Sequence, residues 1–281
     1  MSVFEAIFYG FIQGIAEFLP ISSSGHLALI ENFTGRSAEG DLAFNVLLHL
    51  GTLLSVCIAF RKDVFRLIAG FAGLAAKLVR GRIFKEGLNG EERLFAMLFI
   101  AALPLIPVKL LGLDAAVGAL SSRSAVIGAL LIVNGLSLIV CDRVKKGNAS
   151  VFDRGVTRPL GVGAVQAAFG ILPGISRSGS TVTAGRILGY SREEAVRFSF
   201  LLSVPTVAGA CVSELPKLLR SGGEQGGVAP VCCFAGALTA AAAGLCAIGV
   251  LRYFTRKNSF TAFAVYCLAA GAAAITADLL L

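Results

Sequence analysis

Two short stretches decide how this chain folds: Pro20-Ile21-Ser22-Ser23-Ser24-Gly25-His26 and Pro173-Gly174-Ile175-Ser176-Arg177-Ser178-Gly179-Ser180-Thr181. Each clusters hydroxyls and glycines, and each interrupts a segment apolar enough for a lipid interior. Irregular backbone at membrane depth is tolerated only where protein or a water-filled cavity satisfies its N–H and C=O groups. Residues 3–33 and 155–190 are therefore predicted to form two re-entrant helix–loop–helix hairpins, each entering and leaving on one side. Hydroxyls, open backbone, one His and one Arg are the groups that hold and cleave a phosphate. Their apolar setting points to a phosphate carried by a lipid.

Working outward, the whole chain has the same character. Of its 281 residues 56% are hydrophobic and only 15% charged, against about a quarter charged in soluble domains. A bilayer takes about 20 apolar residues in a helix, and spans are predicted at 43–60, 94–113, 124–141, 198–215, 228–251 and 260–281. The predicted fold is an all-α integral membrane protein, one membrane domain over 1–281, with six spans and two re-entrant hairpins. Glu5 stands where a signal peptide would be basic, and no small-residue cleavage site follows, so the first segment is expected to be retained. The seven cysteines lie in or beside apolar segments without a Cys-x-x-Cys pair, as small buried hydrophobes do.

The two halves, about 1–141 and 155–281, are related. Gly10, Gln13 and Pro20 align with Gly163, Gln166 and Pro173 at an offset of 153. At 154, Ser24, Gly25, Phe44, Leu47, Leu48, Thr52 and Cys57 align with Ser178, Gly179, Phe198, Leu201, Leu202, Thr206 and Cys211. An odd number of crossings separates the copies, which predicts an inverted repeat with its broken helices facing one shared site. The net charge of +8 does not signal nucleic acid, because the charges are segregated. The segments 61–93, 142–158 and 252–258 hold 16 Lys and Arg, against Arg36, Lys109, Arg123, Lys217 and Arg220 on the other side. The basic side is expected to be cytoplasmic. The first hairpin then enters from outside and the second from the cytoplasm; a complete span at 3–21 would reverse the N-terminus.

Several side chains stand out chemically. Glu17 is a carboxylate inside a membrane segment, a functional candidate as metal ligand or proton relay, and Gln13 shares its helix face. Ser22, Ser23, Ser24 and Gly25 open an apolar helix whose N-terminal N–H groups suit phosphate. His26, one turn on, is placed to exchange protons with a serine or a phosphate. His49, mid-span, is expected to serve packing or a satisfied hydrogen bond. Arg177 binds phosphate bidentately and keeps its charge, and needs an anion, either Glu17 or a substrate. Ser176, Ser178 and Thr181 offer hydroxyls, and Gly174 and Gly179 allow close backbone approach. Arg186, Arg192 and Arg197 are expected at the membrane interface.

The run Gln13-x-x-x-Glu17-Phe-Leu-Pro-Ile-Ser-Ser-Ser-Gly-His26 resembles one signature of the undecaprenyl-diphosphate phosphatase family, the bacitracin-resistance type of membrane enzyme. The second loop, Pro173 to Thr181, resembles the other signature. The resemblance covers essentially the whole chain. It implies a multi-pass enzyme of the bacterial plasma membrane that removes the terminal phosphate of undecaprenyl diphosphate, through a site open to the outside. It implies a divalent cation, Mg²⁺ or Ca²⁺, held by Glu17; the family often carries Glu where this chain has Gln13, so Gln13 is the weaker ligand. Ser23 matches the family's candidate nucleophile. Either Ser23 attacks after His26 takes its proton, or His26 attacks or activates water. The expected partners are the lipid substrate and the bilayer; a homodimer is among the assemblies left open. The competing reading is a carrier that flips a polyprenyl phosphate, which would need the anion donors but no proton-transfer group.

Overall fold

The computed structural model describes residues 1–35, 42–150, 153, 155–220, 228–257 and 259–280. Arg36 and Arg154, two of the charges counted for orientation, lie outside the described residues, as do the side chains of Lys85, Lys217 and Arg220. The regular elements are helices: α1 (Val3–Phe18), α2 (Ser23–Thr34), α3 (Leu42–Ala59), α4 (Arg61–Val79), α5 (Ile83–Glu86), α6 (Gly90–Ala102), α7 (Leu105–Leu110), α8 (Leu113–Gly118), α9 (Ser124–Arg143), α10 (Thr157–Phe169), α11 (Arg177–Ile187), α12 (Arg192–Arg220), α13 (Pro230–Arg256) and α14 (Thr261–Leu280). The protein is thus an all-helical integral membrane protein.

Helices long and apolar enough to cross a bilayer cover Gly90–Leu110, Ser124–Arg143, Arg192–Glu214, Pro230–Arg256 and Thr261–Leu280, close to five of the predicted spans. The sixth differs. Ala43–Ala59 bends by 97° into Arg61–Val79, so much of the basic stretch read as a linker is helix. On α4, Leu67 and Gly70 are buried while Phe65, Ile68, Phe71 and Leu78 are exposed beside Arg61, Lys62, Arg66 and Lys77. That is the make-up of a helix lying at a lipid–water interface.

Both predicted breaks fall where expected, between α1 and α2 and between α10 and α11. Glu5 closes a capping box with Ser2 at the start of α1, which accounts for an acid at that end. The ends of each broken pair have identifiable neighbours. Cys232, at the start of α13, donates to the carbonyl of Met1 at 3.6 Å, and Asn32 on α2 donates to the carbonyl of Ser121 at 2.8 Å, next to the start of α9. Arg158 at the start of α10 reaches the carbonyl of Leu188, just past α11, at 3.0 Å.

Small residues let the long helices touch backbone to backbone. A Cβ on Gly10 or Gly51 would lie 2.3 Å from the carbonyl oxygen of Gly236 or Ala237. With Gly14 against Ala240 and Ser55 donating to the carbonyl of Ala241, α1 and α3 both run in the direction of α13. Gly128 faces Gly271 and Gly135 faces Ala264, so α9 and α14 are antiparallel. Packing partners exchange between the halves: α1 and α3 pack on α13 as α10 and α12 pack on α6.

Three arginines expected at the interface tie segments of the protein together, Arg186 and Arg192 buried and Arg197 partly so. Arg186 is 3% exposed and donates to the carbonyls of Tyr190, Val144 and Lys145. Arg192 pairs with Asp142 at 2.6 Å and lies over the ring of Phe260. Arg197 pairs with Asp63 at 2.6 Å, tying α12 to the start of α4. Each has a carbonyl or carboxylate that offsets its removal from water. Of the cysteines, Cys141, Cys232, Cys233 and Cys267 are buried, whereas Cys57 and Cys211 are partly exposed and Cys246 is exposed.

Candidate active site

The two loops meet at their glycines. A Cβ on Gly25 would lie 2.8 Å from the Cα of Gly174, and one on Gly174 would lie 2.7 Å from the carbonyl oxygen of Ile127 on α9. Gly174 also has φ +102°, a region that favours glycine. Asn134, buried within α9, clamps the junction: its Nδ2 donates to the carbonyl of Pro20 at 2.8 Å and its Oδ1 accepts from the Ser176 amide at 3.1 Å. The loops start their second helices alike. Ser22 Oγ accepts from the Gly25 amide and Ser176 Oγ from the Gly179 amide, so Ser22 matches Ser176 and Ser23 matches Arg177.

Beside this junction is a cavity of about 540 Å³. Its polar wall includes Glu17, Ser22, Ser23, Ser24, His49, Gln166, Ser176, Arg177, Thr206 and Glu214, and its apolar wall Val46, Leu105, Ile171, Ile175 and Val207. Glu17 is the hub. Its Oε2 accepts from Ser23 Oγ at 2.8 Å and from Gln13 Nε2 at 3.1 Å, and its Oε1 accepts from Arg177 Nη2. Arg177 also donates to Thr206 Oγ1 at 3.0 Å. The Glu17 carboxylate, from the first half, is therefore the anion that Arg177, from the second, was expected to need.

The two histidines occupy different surroundings. His26 is absent from the cavity wall. Its Nδ1 lies 2.7 Å from the carbonyl of Ser22 and its Nε2 2.7 Å from the hydroxyl of Tyr266. A carbonyl only accepts, so Nδ1 carries the proton and neutral Nε2 accepts from Tyr266. The reason for this bond lies in Ser22, a non-glycine residue at φ +73°, a conformation that surrounding contacts must hold. His26 thus braces the turn at Ser22, while the Ser23 hydroxyl donates to Glu17. His49 has its satisfied hydrogen bond, to Gln13 Nε2 at 3.1 Å, but it also lines the cavity. The two hydrogens of the Gln13 amide thus go to Glu17 and His49.

Four further site candidates support the loops and stay off the cavity wall. Ser178 Oγ bonds Ser176 Oγ at 3.0 Å, Thr181 Oγ1 donates to the carbonyl of Arg177 at 2.8 Å, and Gly174 and Gly179 make close contacts. The residues missed from sequence were His49, Thr206, Gln166 and Asn134. Gln166 and Thr206 carried a signal, as repeat mates of Gln13 and Thr52; Asn134 carried one as a lone amide in an apolar span.

Among the described residues no group of three or more His, Cys, Asp or Glu side chains gathers to hold a metal ion. Glu17 already accepts three hydrogen bonds, and Gln13 turns its N–H groups toward this cluster. Such a donor set suits an ion arriving on phosphate oxygens, with one carboxylate oxygen from Glu17, rather than a protein-built cage.

Comparison with known proteins agrees over the full length. The family model described as bacitracin resistance protein BacA matches residues 6–273. A protein named undecaprenyl-diphosphatase from Desulforapulum autotrophicum is 35% identical over 279 residues, 99% of each chain. One of the same name from Rubrobacter xylanophilus is 37% identical over 282 residues, covering 100% of this chain and 99% of its own. Another, from Methanobrevibacter smithii, is 36% identical over 95% of this chain and 94% of its own. With both loops inside the matched residues, this chain belongs to the bacitracin resistance protein BacA family.

Proposed function

We infer that this protein is an integral-membrane phosphatase that hydrolyses undecaprenyl diphosphate to undecaprenyl phosphate and inorganic phosphate, returning the lipid carrier to cell-wall synthesis. One observation carries the mechanism: Ser23 donates its hydroxyl proton to Glu17, which is held by Arg177 from the other loop. The incoming diphosphate competes with Glu17 for Arg177, whose fork suits phosphate. Glu17, released from Arg177, becomes the stronger base and takes the Ser23 proton. Ser23 Oγ bonds to the terminal phosphorus, the bond from phosphorus to the bridging oxygen breaks, and polyprenyl phosphate leaves. Glu17 passes that proton to the departing polyprenyl phosphate; it then takes a proton from the water that attacks the phosphoserine phosphorus and returns it to Ser23 Oγ as inorganic phosphate leaves. Arg177 and the loop N–H groups stabilise the charge that shifts during transfer, where phosphoryl-transfer catalysis is won. A divalent cation, Mg²⁺ or Ca²⁺, would be held by Glu17 and would supply further charge neutralisation.

We place α1–α2 and α10–α11 as re-entrant hairpins of opposite entry in an inverted repeat. The reading is supported by the neighbours of each hairpin's ends, the common direction of α1 and α3, and the exchanged helix partners. The basic ends of α9 and α13 support a cytoplasmic side beside α4. The cavity reaches Glu214, which Lys109 of α7 meets at 3.1 Å, on the opposite side, so the site opens outward from the plasma membrane. The apolar wall at Leu105, Ile171 and Val207 suits the polyprenyl chain.

Phosphate release from a C55 polyprenyl diphosphate by detergent-purified protein, with and without EDTA, is the test. Wild type should release phosphate, Ser23→Ala should lose at least about a thousand-fold in kcat, and a phosphorylated Ser23 should be trappable. Full activity in Ser23→Ala would end the serine route. No release by folded wild type that still binds the lipid would favour the carrier reading.

A further inference from the structure

One polar group on the cavity wall has no part in the reaction so far. Gln166, on α10, lines the cavity and is only 2% exposed. Its Nε2 is buried with no hydrogen-bond partner among the described residues. Buried amides are nearly always paired, and leaving one unpaired is unfavourable enough that each exception calls for a cause.

The duplication supplies the comparison. Gln13, the mate of Gln166, spends both amide hydrogens on Glu17 and His49. The positions matching those acceptors at offsets of 153 and 154 are Gly170 and Ser203. Gly170 has no side chain, and Ser203 turns its hydroxyl to the carbonyl of Phe200 at 2.6 Å. The second half keeps the amide and has lost both acceptors. Gly170 also stands against the Arg177 side chain, where a Cβ would lie 3.4 Å from Arg177 Cγ, and Gln166 and Arg177 line the same cavity. A carboxylate at this place would compete with substrate for Arg177; a neutral amide offers hydrogens to an anion without doing so.

We propose that Gln166 is a substrate-binding residue whose Nε2 donates to a phosphate oxygen of the diphosphate lipid held by Arg177. This rests on the phosphatase reading. A neutral donor to a charged oxygen is worth roughly 10- to 100-fold in affinity. Full-length protein in detergent would be compared as wild type, Gln166→Met and Gln166→Glu. The readouts are kcat and KM with the C55 diphosphate, and the rise in Tm produced by inorganic phosphate. Gln166→Met should raise KM by roughly 10- to 100-fold, lose the phosphate-induced rise, and melt no lower than wild type, since it removes an unpaired buried amide. Gln166→Glu should lose more, by repelling the anion. A structural amide would show the reverse, a lower Tm with unchanged KM. Wild-type KM and phosphate response in either folded variant overturns the proposal; should the Met variant not fold, the isosteric Glu variant decides. A wild type that fails to hydrolyse, while its phosphate response disappears in Gln166→Met, would sink the phosphatase reading and leave the binding role standing.

Discussion

Glu17 carries three hydrogen bonds on two oxygens, and that load governs what it can do. With Glu17 9% and Arg177 22% exposed at the side chain, removing either leaves a poorly hydrated charge. Breaking a buried pair costs about 3–5 kcal/mol, so Arg177→Ala should lower Tm markedly in thermal unfolding. Adding Glu17→Gln to it should recover most of that loss without recovering activity. His26 is open to an equally sharp test. An Asn side chain places its amide near Nδ1, and a Gln places its amide near Nε2. His26→Asn, which can still hold the Ser22 carbonyl, should retain roughly ten-fold more activity than His26→Gln or His26→Ala. Equal loss in all three would restore His26 as the base. At this scale the chemistry-bearing residue types were legible, but their pairing was not. Of the two histidines only His26 read as a proton-transfer group, and only the turn at Ser22 (φ +73°) fixes which way it faces.

Among the elements, the loops depend on contact without side chains. Gly25→Ala would drive a methyl to 2.8 Å from the backbone of Gly174. Overpacking of this kind costs about 1–3 kcal/mol, and a displacement of about 1 Å at a phosphoryl-transfer site costs roughly a hundred-fold in rate. The variant should therefore fold with reduced Tm and lose about two orders of magnitude in kcat, measured by phosphate release. Both broken helices were readable because Pro, Ser and Gly interrupt apolar runs. The sharp bend between α3 and α4 was not. Residues 43–60 read as a complete span, and the charges after Arg61 masked the apolar stripe of Phe65, Ile68 and Phe71 that makes 61–79 a helix.

On the scale of the whole molecule, the charge distribution and the cavity predict one sidedness. In intact cells or right-side-out vesicles, a membrane-impermeant thiol reagent should label Asp114→Cys and leave Lys62→Cys unlabelled until the membrane is opened. The native cysteines would first be replaced. The opposite pattern would invert the orientation and move the cavity mouth to the cytoplasm. The sequence by itself determined that the chain lives in a bilayer and that two hydroxyl-rich loops, with matching residues around them, break it. Composition, spacing and the cost of bare backbone in hydrocarbon are all local properties. Only the tertiary structure decided that Glu17 serves Ser23 and Arg177 together, that His26 braces a turn while His49 faces the cavity, and that Gln166 keeps a free donor there. Those outcomes depend on which helices approach across more than a hundred residues of chain, and the small-residue seams that set that approach have no partner until the halves pack.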